Sequence, residues 1–269
     1  MRDSGMVIDG GRAALGSRGH RGGVITMHRA LAHFHLGPMN LLTAVSLFLF
    51  FSSVWLILLP RVCRFWNRLL AWSLSWLPLH ARLEMAQAQV KFLRLQIPCL
   101  RIEPVLPDLE TWSLTCIVTV LLFALTCFLP RKLMPVAYLA RAILVVQASA
   151  LLFFALWPLR FQHTPNSYLE GLVRAGIGLI SVIPLLFALT YYIFEFGMWK
   201  KVCLTAITMG HLALFLPFQI LLHALILQKS TLFMPLLYIV FGVPLDVMLI
   251  IGFYSWGMTW PFRTLEKTA

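Results

Sequence analysis

Six long apolar runs dominate the chain, at roughly residues 40–59, 112–129, 134–157, 171–198, 202–227 and 232–256. Each is near the roughly 20 residues that a helix needs to cross the hydrocarbon of a bilayer. Backbone groups in lipid must bond within their own segment, so each run predicts a transmembrane helix. The later connections, "PRKLM", "WKKV" and "QKST", are very short. Short links predict antiparallel neighbours in an up-and-down bundle.

Residues 61–111 interrupt this rhythm. They open with "RFWNRLLAWSLSWLP", residues 64–78. At helical spacing, Arg61, Arg64, Arg68, Ala71 and Ser75 fall on one narrow stripe, while Trp66, Trp72, Trp76 and neighbouring Leu and Phe cover the rest. A basic stripe beside a Trp-rich face predicts an amphipathic helix lying in the headgroup plane. The competing reading is a helix packed on the edge of the bundle. Next, "VKFLRLQIPCLRIEPVLP", residues 90–107, alternates apolar and polar positions. Period two predicts extended chain. Its prolines restrict it to edge strands or a small ribbon, an extramembrane cap too short to be a domain.

Composition fixes the solvent. The chain has 269 residues, 60% of them hydrophobic and only 12% charged, with a mean hydropathy of +0.84. Soluble domains carry about one quarter charged residues, so these runs belong in lipid. The net charge of +12 does not point to nucleic acid, because Lys and Arg sit in short clusters between apolar runs, as in proteins oriented in a membrane. Arg131-Lys132, Lys200-Lys201, Arg263, Lys267 and the arginines before residue 39 share a side with both termini. Positive charge favours the cytoplasm, which predicts cytoplasmic termini; Arg61, Arg64 and Arg68 weigh the other way. Compact loops without a secretory cleavage site suggest a bacterial inner membrane, with the bilayer and other membrane proteins as partners.

The resulting fold class is an all-α polytopic integral membrane protein, with about six transmembrane helices, one interfacial amphipathic helix and a small extended extramembrane segment. Residues 1–38 are rich in Gly, Arg and His and are expected to be disordered, with Met27 and Met39 as alternative starts. Residues 39–60 form the first span and 61–111 the interfacial helix and cap. Residues 112–257 form a five-helix bundle and 258–269 a short tail.

Candidate chemistry is sparse. Cys63, Cys99, Cys116, Cys127 and Cys203 are odd in number and include no CxxC, so they read as small buried hydrophobes. His28, His33 and His35 give one HxxxxH spacing, with no further histidine box to complete a di-iron site. His211 and His223 lack matching histidines on a neighbouring span, which excludes haem ligation between helices. No P-loop, GxSxG, HExxH or Asp-rich cluster occurs, and no cofactor is expected.

Ionisable groups at membrane depth are the remaining clue. With 1.5 Å per residue, Arg141, His211 and Asp246 lie within about 10 Å of the midplane, on one side of it. Gln147 and Gln219 fall near the centre, while Glu195, Arg174 and His223 sit nearer the surfaces. A charged Asp246 needs a partner, so the expectation is a contact with Arg141 or His211. Such a contact serves as a proton or ion relay, a polar substrate site or a structural clamp; a protonated Asp246 that is merely hydrogen-bonded is the other option. Pro184, Pro217 and Pro244 predict helix kinks near mid-depth. Gly-Val-Pro-Leu-Asp, residues 242–246, is the best candidate for a locally broken helix, with a cavity beside Asp246. Gly171, Ala175 and Gly178 form a smooth face that another helix can approach closely.

Three functions fit these features. The first is a non-catalytic integral membrane subunit or assembly factor of a larger complex. The second is a small transporter or channel component with a mid-membrane site around Asp246. The third is a lipid-modifying enzyme with a headgroup-level pocket near His80, Glu84 and Arg101.

Overall fold

The structure, a computed structural model, describes residues 38–90, 93–193 and 197–260. The N-terminal segment, with His28, His33 and His35, therefore lies outside the described residues, as do Glu195, Arg263 and Lys267. Six described helices are long and apolar enough to cross a membrane. They are α1 (Pro38–Trp76), α2 (Leu109–Cys127), α3 (Met134–Leu156), α4 (Pro165–Ile193), α5 (Met198–Leu227) and the segment Thr231–Met258, whose last part is α6 (Val243–Met258). A two-stranded antiparallel ribbon, β1 (Ala81–Val90) and β2 (Leu93–Ile102), stands between α1 and α2. The protein is a multi-pass, all-α membrane protein.

The first helix departs from expectation. The predicted boundary at residue 60 is absent, and α1 runs through Pro60 for 39 residues, about 58 Å at 1.5 Å per residue. Its buried positions explain why. Ala44, Leu47, Phe51, Trp55, Leu59, Cys63, Trp66, Leu70 and Ser73 follow one another at steps of three or four. That is a single helical stripe whose phase never resets. Pro60 removes only the bond to the Leu56 carbonyl. The continuous stripe outweighs that loss.

Two tryptophans pin this stripe to the bundle. Trp55 Nε1 donates to Ser181 Oγ at 2.8 Å, and Trp66 Nε1 donates to the Ala213 carbonyl at 2.7 Å. The stretch expected to be a separate interfacial helix is thus the end of α1, and Trp66 is only 1% exposed. Its other side faces outward: Arg61, Arg64 and Arg68 are exposed, and Trp72 and Trp76 are 63% and 76% exposed.

The ribbon pairs Ala81 with Ile102 through to Val90 with Leu93. The expected small ribbon is present, and the partner of β2 is the segment just before residues 90–107. In a two-stranded ribbon both strands are edges, which accommodates Pro98. Ile97, Cys99, Leu100 and Ile102 are buried, because the ribbon docks against α4 and α1. The Ile102 N–H donates to Asn166 Oδ1 at 2.8 Å, and the Thr231 N–H to the Val105 carbonyl at 2.9 Å. Arg101 bridges Glu84 at 3.2 Å and Glu170 at 3.7 Å, and Glu170 also pairs with Arg174. Helix α4 begins at Pro165, six residues before the apolar run, and Thr164 bonds its first turn through Ser167 and Tyr168.

The core lies between α4 and α5. Gly176 permits their contact: a Cβ there would sit 2.6 Å from Leu216 Cδ2. By contrast, α2 is peripheral. It packs on α3, and Thr119 and Thr126 are its buried residues. The α2–α3 hairpin meets the rest of the chain mainly around Thr231–Leu236.

Candidate functional site

The sixth span is broken where the sequence suggested. After a 3-10 turn (Thr231–Phe233), Met234–Leu236 is α-helical and Leu237–Phe241 is wound as a π-helix. Gly242 then takes φ −87 and ψ −143, and α6 restarts at Val243. Glycine is required at the break, because a Cβ would lie 2.6 Å from the Tyr238 carbonyl oxygen. Pro244 stands in the first turn of α6, where its missing N–H costs nothing. The Leu245 N–H, which a continuous helix would give to Phe241, goes to Gly242 instead at 3.0 Å. The Phe241 carbonyl is left without a helical donor.

A side chain from α5 supplies one. Gln219 Nε2 donates to the Phe241 carbonyl, and at 3.4 Å to that of Gly242. The Gln219 side chain also lies beside the Asp246 carboxyl. One turn further along α5 stands His223. Its Nδ1 meets the Tyr168 hydroxyl of α4 at 2.9 Å, with the two rings stacked. Gln219, His223 and Asp246 are 2%, 0% and 3% exposed. Gln219 Oε1 and His223 Nε2 have no hydrogen-bond partner among the described residues. Three helices therefore converge on one buried polar centre, built around carbonyls that the break releases.

A groove of about 620 Å³ runs beside this centre, between the first turns of α4 and Met234–Val243. Tyr168, Gly171, Leu172, Ala175, Tyr238 and Gly242 lie along it, and His163 and Ser167 stand at its polar end. This corrects the expectation for the small-residue face of α4. No neighbour lies within 4 Å of a Cβ built on Gly171 or Gly178. Gly171 and Ala175 open onto the groove instead of receiving a helix; the close approach is at Gly176. A second hollow of about 450 Å³ adjoins the groove through Phe161, His163 and Pro235, and extends to Ser149, Gln162 and Arg160.

The predicted cluster of Arg141, Gln147, His211 and Asp246 is not brought together. Arg141 reaches back to the end of α2, with Nε on Thr126 Oγ1 at 3.0 Å and Nη2 on the Thr126 carbonyl at 3.2 Å. A cation there satisfies the free carbonyls of a helix C-terminus. His211 stacks on Phe215 and meets the edge of Phe253. Gln147 is buried with neither amide atom bonded among the described residues. Asp246 forms no ion pair with Arg141 or His211; the polar side chain beside it is Gln219. Equal depth is not equal place, because α3 sits outside the α4–α5 core. Of the prolines, Pro184 and Pro217 lie inside continuous helices, and only Pro244 adjoins a break. Asp246 does not line the groove.

Lys201 also corrects its reading as an interfacial charge. It is 3% exposed, lies over the Tyr191 ring and donates to the Tyr191 carbonyl at 3.5 Å. Lys200 reaches the Trp260 carbonyl. Outside the spans, burial pushes the Cys99 thiol up to about 11, with the Glu170 carboxylate adding to the shift. Asp108, the N-cap of α2, accepts from the Thr111 N–H at 3.0 Å, and that bonding lowers its pKa. No family model, curated protein or solved structure matches this chain.

Proposed function

We propose that the protein is a non-catalytic integral membrane component that holds an amphipathic membrane molecule between α4 and the broken sixth span, working beside other membrane proteins. The observation that carries this reading is the groove itself. Its volume of about 620 Å³ falls within the roughly 300–1,000 Å³ of ligand sites. Its walls are apolar, it has a polar end, and it flanks a helix break of the kind that marks binding sites within membranes. Peripheral α2 offers lipid or a partner protein a face that this chain does not cover.

Photocrosslinking tests the reading. A lipid carrying a photoreactive acyl chain should label Tyr168–Ala175 and Met234–Val243 more strongly than α2, which serves as the bulk-lipid control. Equal labelling of α2 and the groove would reject it.

Transport is the second reading, supported by the buried Asp246–Gln219 contact at the break. Asp246→Asn separates the two, since capture in the groove does not use Asp246. The enzyme reading is drawn from His163, Ser167 and Tyr168, reactive residue types that line the groove; it requires turnover of the captured lipid. We place the protein in a bacterial inner membrane with both termini cytoplasmic, on the strength of Arg131, Lys132 and Lys200. The exposed Arg61, Arg64, Arg68, Trp72 and Trp76 then meet the headgroups of the opposite leaflet. A cysteine at exposed Gln87, in a chain without other cysteines, should react with an impermeant reagent in intact cells; reaction only after lysis reverses the orientation.

A further inference from the structure

Resting on the lipid reading above, we infer that the groove and the adjoining hollow form one bipartite site for a single anionic phospholipid, its chain in the groove and its phosphate headgroup beside Arg160 and His163. The two compartments share a wall at Phe161, His163 and Pro235, so one molecule can occupy both. Their chemistry differs in the sense that a phospholipid requires. The groove between α4 and Met234–Val243 is apolar. The hollow carries Arg160, Gln162, His163 and Ser149.

Charge selects the headgroup. Neither lining contains a carboxylate. The nearby carboxylate on α4, Glu170, is engaged by Arg101 and Arg174 and does not oppose an anion. Arg160 is exposed, and its planar fork suits phosphate. Both compartments meet at the start of α4, a helix of 29 residues, whose N-terminal dipole favours negative charge. The hollow also lies at the ribbon-bearing surface, because Thr231, which opens the sixth span, bonds Val105 just beyond β2. That places the headgroup compartment at the membrane boundary and the groove below it.

The test uses the full chain, purified and delipidated, then titrated with phosphatidylglycerol or phosphatidylcholine and read by native mass spectrometry. Free glycerol phosphate is a third arm. Wild type should retain phosphatidylglycerol about tenfold better than phosphatidylcholine, the scale of one charge-assisted contact. Arg160→Gln should remove most of that preference, weakening phosphatidylglycerol far more than phosphatidylcholine, whose choline cation already offsets its phosphate. Gly171→Leu, which fills the groove, should weaken both lipids. Glycerol phosphate should not displace bound lipid, since it lacks a chain. Equal binding of the two lipids, or an undiminished preference in Arg160→Gln, overturns the headgroup assignment while groove capture stands. Displacement by glycerol phosphate would make the hollow a plain anion site and overturn the single-lipid assignment. Gly171→Leu without effect on either lipid would remove the lipid reading itself.

Discussion

Gly171→Leu should stabilise the protein while it blocks the groove, and Gly176→Ala, five residues along the same helix, should do the opposite to stability. At position 171 nothing lies within 4 Å of the added Cβ, and the backbone is ordinary helix. Glycine costs a helix about 1 kcal/mol relative to alanine, and leucine is close to alanine. The gain is therefore about 0.8 kcal/mol, or roughly 2–3 °C in melting temperature for a chain of this size. At position 176 the added Cβ meets Leu216 Cδ2 at 2.6 Å and Cδ1 at 2.7 Å. Leu216 is only 2% exposed and cannot swing into lipid. Overpacking of this kind costs about 1–3 kcal/mol, which outweighs the propensity gain. Thermal melts of delipidated protein in detergent measure both shifts, and lipid retention is then compared in the same samples. A fall in melting temperature for Gly171→Leu would mean that the α4 face is covered. A rise together with undiminished lipid capture would mean that the groove is not the binding site.

Gly242→Ala should destabilise by about 1–3 kcal/mol, because its Cβ meets the backbone oxygen of Tyr238 and no side chain can yield; a neutral result in the same melts would contradict the π-to-α break. Gln219→Leu strands the buried Phe241 carbonyl, a loss of about 1–3 kcal/mol, and should exceed the effect of Gln147→Leu, whose amide bonds nothing among the described residues. Asp108 has its folded pKa lowered below the ordinary 3.8 by its Thr111 bonds. Its contribution to the α2 cap is thus complete above 3.8 and lost as pH falls through the lower folded value; helicity measured by circular dichroism should show that acid loss, and Asp108→Asn should abolish it. Kept as the sole cysteine, because Cys127 and Cys203 are exposed, Cys99, with its thiol pushed up to about 11, should resist maleimide at neutral pH until detergent unfolding exposes it; prompt labelling of that folded variant would place β2 away from α4.

Much of this architecture is legible in the apolar pattern. The six spans, the extended cap and the break at Gly242 follow from run length, period two and a Gly-x-Pro sequence inside an apolar run. The continuity of α1 is legible too, in the unbroken stripe from Ala44 to Ser73, but Pro60 and the arginines after it carry the signature of a boundary. Strand β1 is harder to read: Ala81–Met85 and Ala86–Val90 each alternate, but the phase slips at Met85-Ala86, so no single apolar face runs its length; it is extended because β2 supplies its partner. The polar centre was half legible. Gln219 and Asp246 stood out by depth, yet depth along each helix says nothing about which helices touch. Tyr168 carries no signal of its own in the sequence, and only the α4–α5 contact brings it to His223. The groove could not be read from sequence, since Gly171 and Ala175 would serve equally well under a packed helix.

The most direct measurement is a crystal structure in a lipidic phase doped with phosphatidylglycerol brominated along its acyl chain. The account predicts an anomalous bromine peak between Gly171 of α4 and Tyr238 of the broken span. Bromine confined to the outer faces of α1 and α2, with that groove empty, would contradict it.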